Sequence, residues 1–183
     1  MNTLPHFKLY DKILTYPKCG TKFLDNIYNK TNENIHINFY NLFKSEIDYI
    51  ILRDPLSHLI SAINETLKYE DNLKNNLESL LFGNNIHYNI NHYRLLELYT
   101  KLKPNKTIIL LENLSNFLQL EKKIKKIPST VNYKTVKIYD IEKIKEEEPY
   151  LINLLLKNLD FEISSYKNIL NDNNVYKPKK TLI

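Results

Sequence analysis

Four short runs of β-branched and apolar residues punctuate the first two thirds of the chain: Ile13–Tyr16, Ile35–Phe39, Tyr49–Leu52 and Thr107–Leu111. Such runs, bounded by polar residues, read as strands. Between and after them the apolar positions recur at three- and four-residue spacing, predicting helices over Thr21–Asn29, Leu56–Lys68, Leu73–Leu81, Ile90–Leu102 and Leu114–Ile127. Strands alternating with helices predict an α/β domain, a three-layer arrangement of a mainly parallel central sheet with flanking helices. Late in the chain, "DIEKIKEEEPYLINLLLKNL" predicts one long helix with Asp140 as its N-cap. Pro149 kinks that helix or splits it in two. The closing "NDNNVYKPKKTLI" carries turn and basic residues with little to bury, so about 171–183 is expected to be a loosely ordered basic tail. No repeat or linker interrupts the pattern, and 183 residues suit a single domain, 1–183.

Composition changes this picture little. The chain is 43% hydrophobic and 26% charged, as expected of a soluble globular protein. Its bias toward lysine, asparagine, isoleucine and tyrosine is that of an AT-rich genome, viral or bacterial. A net charge of +5 favours anionic ligands in general, although most lysines serve to solvate helix faces. One cysteine excludes an intrachain disulfide and a cysteine zinc cluster. The longest apolar runs, "YIIL" and "LINLLL", are too short to span a bilayer, and "MNTLPHFKLYDK" lacks a signal-peptide core. A soluble, cytoplasmic location is the resulting expectation.

One of only two glycines lies in "KILTYPKCGTKFLDNIY", where a strand turns into a helix. Gly20 would let the backbone approach a ligand, and consecutive N–H groups from Cys19, Gly20, Thr21 and Lys22 at a helix start form a concavity for an anion. Lys18 adds a full positive charge. A plain strand-to-helix turn has the same letters. A Walker loop would need another glycine and the order Gly-Lys-Thr, a dinucleotide fingerprint would need three glycines, and a thiolate phosphatase would need an arginine soon after Cys19. None of these is present, although a helix N-terminus could lower the Cys19 pKa. A second strand-to-helix junction, "DYIILRDPLSHLISAINE", puts Arg53 at the strand end and Ser61 eight residues on. Arginine offers a planar fork for phosphate and serine a hydroxyl donor; pairing of Arg53 with Asp54 or with a helix C-terminus is the plainer alternative.

Together "TYPKCGT" and "RDPLSHLIS" resemble the two nucleotide-binding motifs of sulfotransferases that use 3′-phosphoadenosine 5′-phosphosulfate (PAPS). The likeness to the carbohydrate-type branch continues in order through "NIHYNINHYRLLEL", "TIILLENLSNFLQL", "IPSTVN" and "NLDFEISSY", covering roughly residues 12–166. It implies a P-loop-like sulfotransferase fold, with PAPS as co-substrate and a hydroxyl-bearing acceptor, a glycan being the first expectation. By the same resemblance Lys18, Cys19, Gly20, Thr21 and Lys22 hold the 5′-phosphosulfate end, while Arg53 and Ser61 hold the 3′-phosphate. Lys22 stands where the family often has a second hydroxyl residue. Lys18 would meet charge on the leaving phosphate, and a general base would lie on or after the second strand. His36, alternating with Ile35 and Ile37, is the candidate base, with Glu33 in reserve; a histidine filling a half-buried strand position is the alternative. His87 and His92 are not spaced as a metal pair, so no metal is expected, and Glu112 is read as a loop holder. Tyrosines, fourteen in all, could stack on adenine or sugar, though most are read as core or rim residues. A non-catalytic nucleotide- or polyanion-binding module of the same fold and a P-loop-like phosphotransferase stand as rivals. No nucleic-acid motif is present, and oligomeric state is not legible.

Overall fold

The computed structural model describes residues 7–16, 19–28, 35–37, 46–67, 72–82, 106–125 and 139–178. The chain divides into two compact units, each assembled from separated segments: a sheet unit built around residues 4–53, 102–133 and 169–183, and a helical unit built around residues 54–101 and 134–168.

The sheet unit contains β1 (Phe7–Tyr10), β2 (Ile13–Thr15), β3 (Ile35–Ile37), β4 (Tyr49–Leu52) and β5 (Thr107–Leu110), in the order β3-β1-β2-β4-β5. Strands β2, β4 and β5 run parallel, whereas β1 pairs antiparallel with both β2 and β3. The α/β class holds, but the sheet is mixed rather than mainly parallel. Ile50, Ile51 and Leu52 are all buried, so successive residues of β4, which point to opposite faces, are covered on both; this is the mark of an inner parallel strand. Helix α1 (Thr21–Ile27) follows β2, and a 3-10 turn (Leu111–Asn113) leads from β5 into α4 (Leu114–Leu120).

β1 is absent from the sequence pattern because its four residues alternate too briefly to announce a strand. It is fixed by the turn that follows. Asp11 and Lys12 adopt φ of 42° and 66°, so the two-residue link has the left-handed backbone whose twist matches a β-hairpin. Both turn residues also form ion pairs. Lys122 Nζ lies 2.9 Å from Asp11 Oδ2, and Lys12 Nζ lies 3.1 Å from Glu46 Oε2. Tyr10, 1% exposed, donates its hydroxyl to Asp25 Oδ1 at 2.7 Å, while Lys8 pairs with the same carboxylate at 3.1 Å, which ties the hairpin to α1.

The helical unit contains α2 (Pro55–Thr66), α3 (Leu73–Phe82), α5 (Ile141–Glu147), α6 (Pro149–Asn158) and α7 (Asp160–Ile169, whose last residue belongs to the sheet unit). Asp54 caps α2 by accepting from the Ser57 N–H at 2.7 Å, and Pro55 occupies the first turn, where its missing N–H costs nothing. Asp140 caps α5 in the same way through Lys143 N–H at 3.0 Å. The predicted long helix is divided at Pro149: Glu148 leaves the helical region at φ −135°, ψ 62°, as the residue before a proline tends to, and α6 starts on the proline. Leu59, Ile63, Leu77, Leu80, Ile152, Leu155 and Leu159 form the heart of the core. Each fully buried leucine or isoleucine contributes about 1.5–3 kcal/mol.

The expected loose tail is corrected as far as Tyr176. Ile108 N–H donates to Asn174 O at 2.9 Å, Tyr176 N–H donates to Ile108 O at 2.7 Å, and Val175, 7% exposed, forms a parallel bridge with Ile108. Residues 179–183, the helix predicted over Ile90–Leu102, and the segments holding His87, His92 and "IPSTVN" lie outside the described residues.

Candidate functional site

The carboxyl ends of β2 and β4 are adjacent, since Leu14 pairs with Ile50 in parallel register. In open α/β sheets ligands bind beyond the carboxyl ends of such strands. Two of the predicted site segments emerge there: the turn into α1 and Arg53.

The turn is built from β2 outward. Thr15, fully buried at the strand end, donates its hydroxyl to the carbonyl of Cys19. Cys19 N–H donates back to Tyr16 O at 3.0 Å, closing a tight turn. Gly20 then takes φ 81°, and its carbonyl accepts the first helical bond from Leu24 N–H at 2.9 Å. A Cβ on Gly20 would lie 3.0 Å from Leu111 Cδ1 and 3.0 Å from Leu114 Cδ2. The glycine is therefore demanded twice by the fold, once by its left-handed backbone and once by leucine methyls where a side chain would go. Close approach of a ligand is not needed to account for it.

The Cys19 N–H, expected to face an anion, is engaged by Tyr16. Its thiol also departs from expectation. Cys19 is 0% exposed, and burial pushes its pKa up to about 12, against the opposing pull of a hydrogen bond with Tyr16 and of the Arg53 charge. Desolvation outweighs any helix-terminus effect, leaving a neutral thiol that is no nucleophile. A thiol reagent such as 5,5′-dithiobis(2-nitrobenzoate) should accordingly leave folded protein unlabelled at pH 8 and titrate one thiol per chain in denaturant. Rapid labelling of the folded protein would contradict the burial.

Arg53 is half-buried at the end of β4, and its charge opposes the rise in the Cys19 pKa. Thr21 is half-buried, its carbonyl accepting from Tyr10 Oη at 3.3 Å, and Lys22 is exposed on the first turn of α1. Ser61 is half-buried on α2 and belongs to the helical unit. His36 lies on the edge strand β3, where the register runs His36–Lys8–Thr15 across three strands. Two strand spacings, about 10 Å, separate it from β2. Lys18 and Glu33 lie outside the described residues. Glu112 is exposed in the 3-10 turn. Sequence reasoning missed Thr15, whose only signal is a hydroxyl at the end of an apolar run.

Among the described residues no group of three histidine, cysteine, aspartate or glutamate side chains is placed to hold a metal ion, and no helix is long and apolar enough to cross a membrane. Comparison with protein-family models, with curated proteins and with solved structures finds no match.

Proposed function

We propose that this chain binds a nucleotide bearing two phosphate-type groups and acts as a PAPS-dependent sulfotransferase, moving a sulfuryl group to an acceptor hydroxyl, with a carbohydrate as the first acceptor class to test. The single observation behind the proposal is that Arg53 and the Cys19–Lys22 turn follow the carboxyl ends of adjacent parallel strands. In this reading the N–H groups of Gly20, Thr21 and Lys22, with Lys18, receive the 5′ end of the nucleotide, and Arg53 receives the 3′-phosphate. Ser61 enters through the sequence resemblance alone. His36, or Glu33, would take the acceptor proton. The reaction is an in-line transfer of SO3, in which the acceptor oxygen bonds to sulfur as the sulfur–oxygen bond to the nucleotide phosphate breaks. The protein's part is to position the reactants and stabilise charge on the leaving oxygens.

A second reading, a binding module without turnover, is favoured by the engagement of Cys19 N–H with Tyr16, which removes one expected donor from the anion cradle. Titration calorimetry distinguishes both from a purely structural turn. Adenosine 3′,5′-bisphosphate should bind more tightly than AMP. Arg53→Ala should weaken the bisphosphate by tenfold or more, as expected for a charge-assisted hydrogen bond of about 1.5–3 kcal/mol, with AMP nearly unchanged. Equal losses for both ligands would make Arg53 structural. Bisphosphate binding without transfer from labelled PAPS to any glycan, lipid, small alcohol or tyrosine hydroxyl would favour the module.

A further inference from the structure

We infer that residues 174–176 are a guard strand that the chain lays against the outer edge of β5, and that displacing it lets two copies of the protein pair through that edge. β5 has β4 on one side, and Val175 bridges to it on the other. The guard takes up outward-facing backbone groups at the start and middle of this edge: Asn174 Nδ2 donates to Lys106 O at 3.0 Å, while both polar groups of Ile108 bond to Asn174 O and Tyr176 N–H. A side-chain lock holds this short contact. Tyr176 Oη lies 2.9 Å from Asn116 Oδ1, and its ring meets Phe117 edge-on with centroids 5.2 Å apart.

The need for a guard follows from the strand itself. Thr107–Leu110 reads "TIIL", with no charge, proline or glycine to deter pairing, and a bare edge of that kind is a template for another strand. The partner chosen by this chemistry is a second copy, because two identical uncharged edges meet antiparallel about a two-fold axis without charge conflict. Among the described residues the guard makes one bridge, so it gives up few backbone bonds on leaving.

The test uses the full chain with Tyr176→Pro, which removes the N–H donor to Ile108 O together with the hydroxyl and ring that lock onto Asn116 and Phe117, and leaves Val175 in the extended conformation that a residue before proline prefers. Hydrogen exchange at the Ile108 amide should quicken by about tenfold or more, since one backbone hydrogen bond and the side-chain lock are lost together. Sedimentation velocity should show a mass rising with concentration relative to wild type. A peptide of residues 171–178 added in trans should reverse the rise. Unchanged exchange would overturn the guard, and faster exchange with mass at the wild-type value throughout would overturn the pairing. If Tyr176→Pro does not fold, Asn174→Ala removes only the contact to Lys106 O. It should shift both readouts in the same direction by less, and no shift in either would overturn the inference.

Discussion

Replacing Gly20 with alanine should destabilise the protein by roughly 2–5 kcal/mol. About 1–2 kcal/mol comes from holding an L-residue at a left-handed backbone, because Gly20 has φ 81°. A further 1–3 kcal/mol, roughly, comes from forcing a methyl into a packed site. Leu111 Cδ1 and Leu114 Cδ2 each lie 3.0 Å from where it would go. Both leucines belong to the segment after β5, so the penalty should spread from the turn to α4. Urea unfolding measures it as a lowered midpoint at unchanged slope. The same variant separates two reasons for having a glycine there. Lost stability that accounts for any lost bisphosphate affinity identifies the packing requirement; unchanged stability with abolished binding would identify a ligand in the glycine's place.

Asn64→Ala should cost about as much in the helical unit, roughly 2–6 kcal/mol. Asn64 is 2% exposed on α2 and treats Tyr139 as a neighbouring strand would: its Nδ2 donates to Tyr139 O at 2.8 Å, and its Oδ1 accepts Tyr139 N–H at 2.8 Å. The same amide reaches Ile60 O at 2.9 Å. Removing it strands two backbone groups, each costing about 1–3 kcal/mol. Asn64→Asp should be worse, because a carboxylate keeps the acceptor but sets negative charge against two carbonyls. Exchange at the Tyr139 amide should rise sharply in Asn64→Ala, and a wild-type rate there would refute the clamp; in Asn64→Asp, which retains the acceptor, the loss should show in overall stability. Tyr139 immediately precedes the Asp140 cap, so the clamp also fixes where α5 begins.

The parallel strands were legible because each is a run of apolar residues buried on both faces, a pattern that survives without knowledge of partners. The Asp140 cap was legible for a similar reason, since capping is local, whereas Asp54 was read only as a partner for Arg53 and its capping of α2 came from the structure. β1 was not, because "FKLY" has no such run, and its turn lacks the Asn-Gly letters that announce a left-handed hairpin. The tail was misread because a single valine, Val175, carries its burial. At the site, the position of Arg53 followed from a strand's end. The state of Cys19 did not, since burial decides its pKa and the engagement of its N–H depends on how the chain closes back onto Tyr16 O. Asn64 was invisible because its partner lies on the far side of a long insertion.

The pairing registers also set an order of entropic cost for assembling the sheet. Closing a chain loop costs more as the loop lengthens, though only logarithmically. Lys8 meets Thr15 across a two-residue turn, Leu14 meets Ile50 only after α1 and β3 have intervened, and Ile50 meets Ile108 across much of the helical unit. Val175 meets Ile108 after the rest of that unit. The hairpin is thus the sheet's cheapest contact to form, and each strand added outward from it must draw on the binding surface left by the one before. Because both segments that flank the β4–β5 contact in the chain feed into helices, the contacts of greatest reach are those whose closure is eased most by prior compaction of those helices.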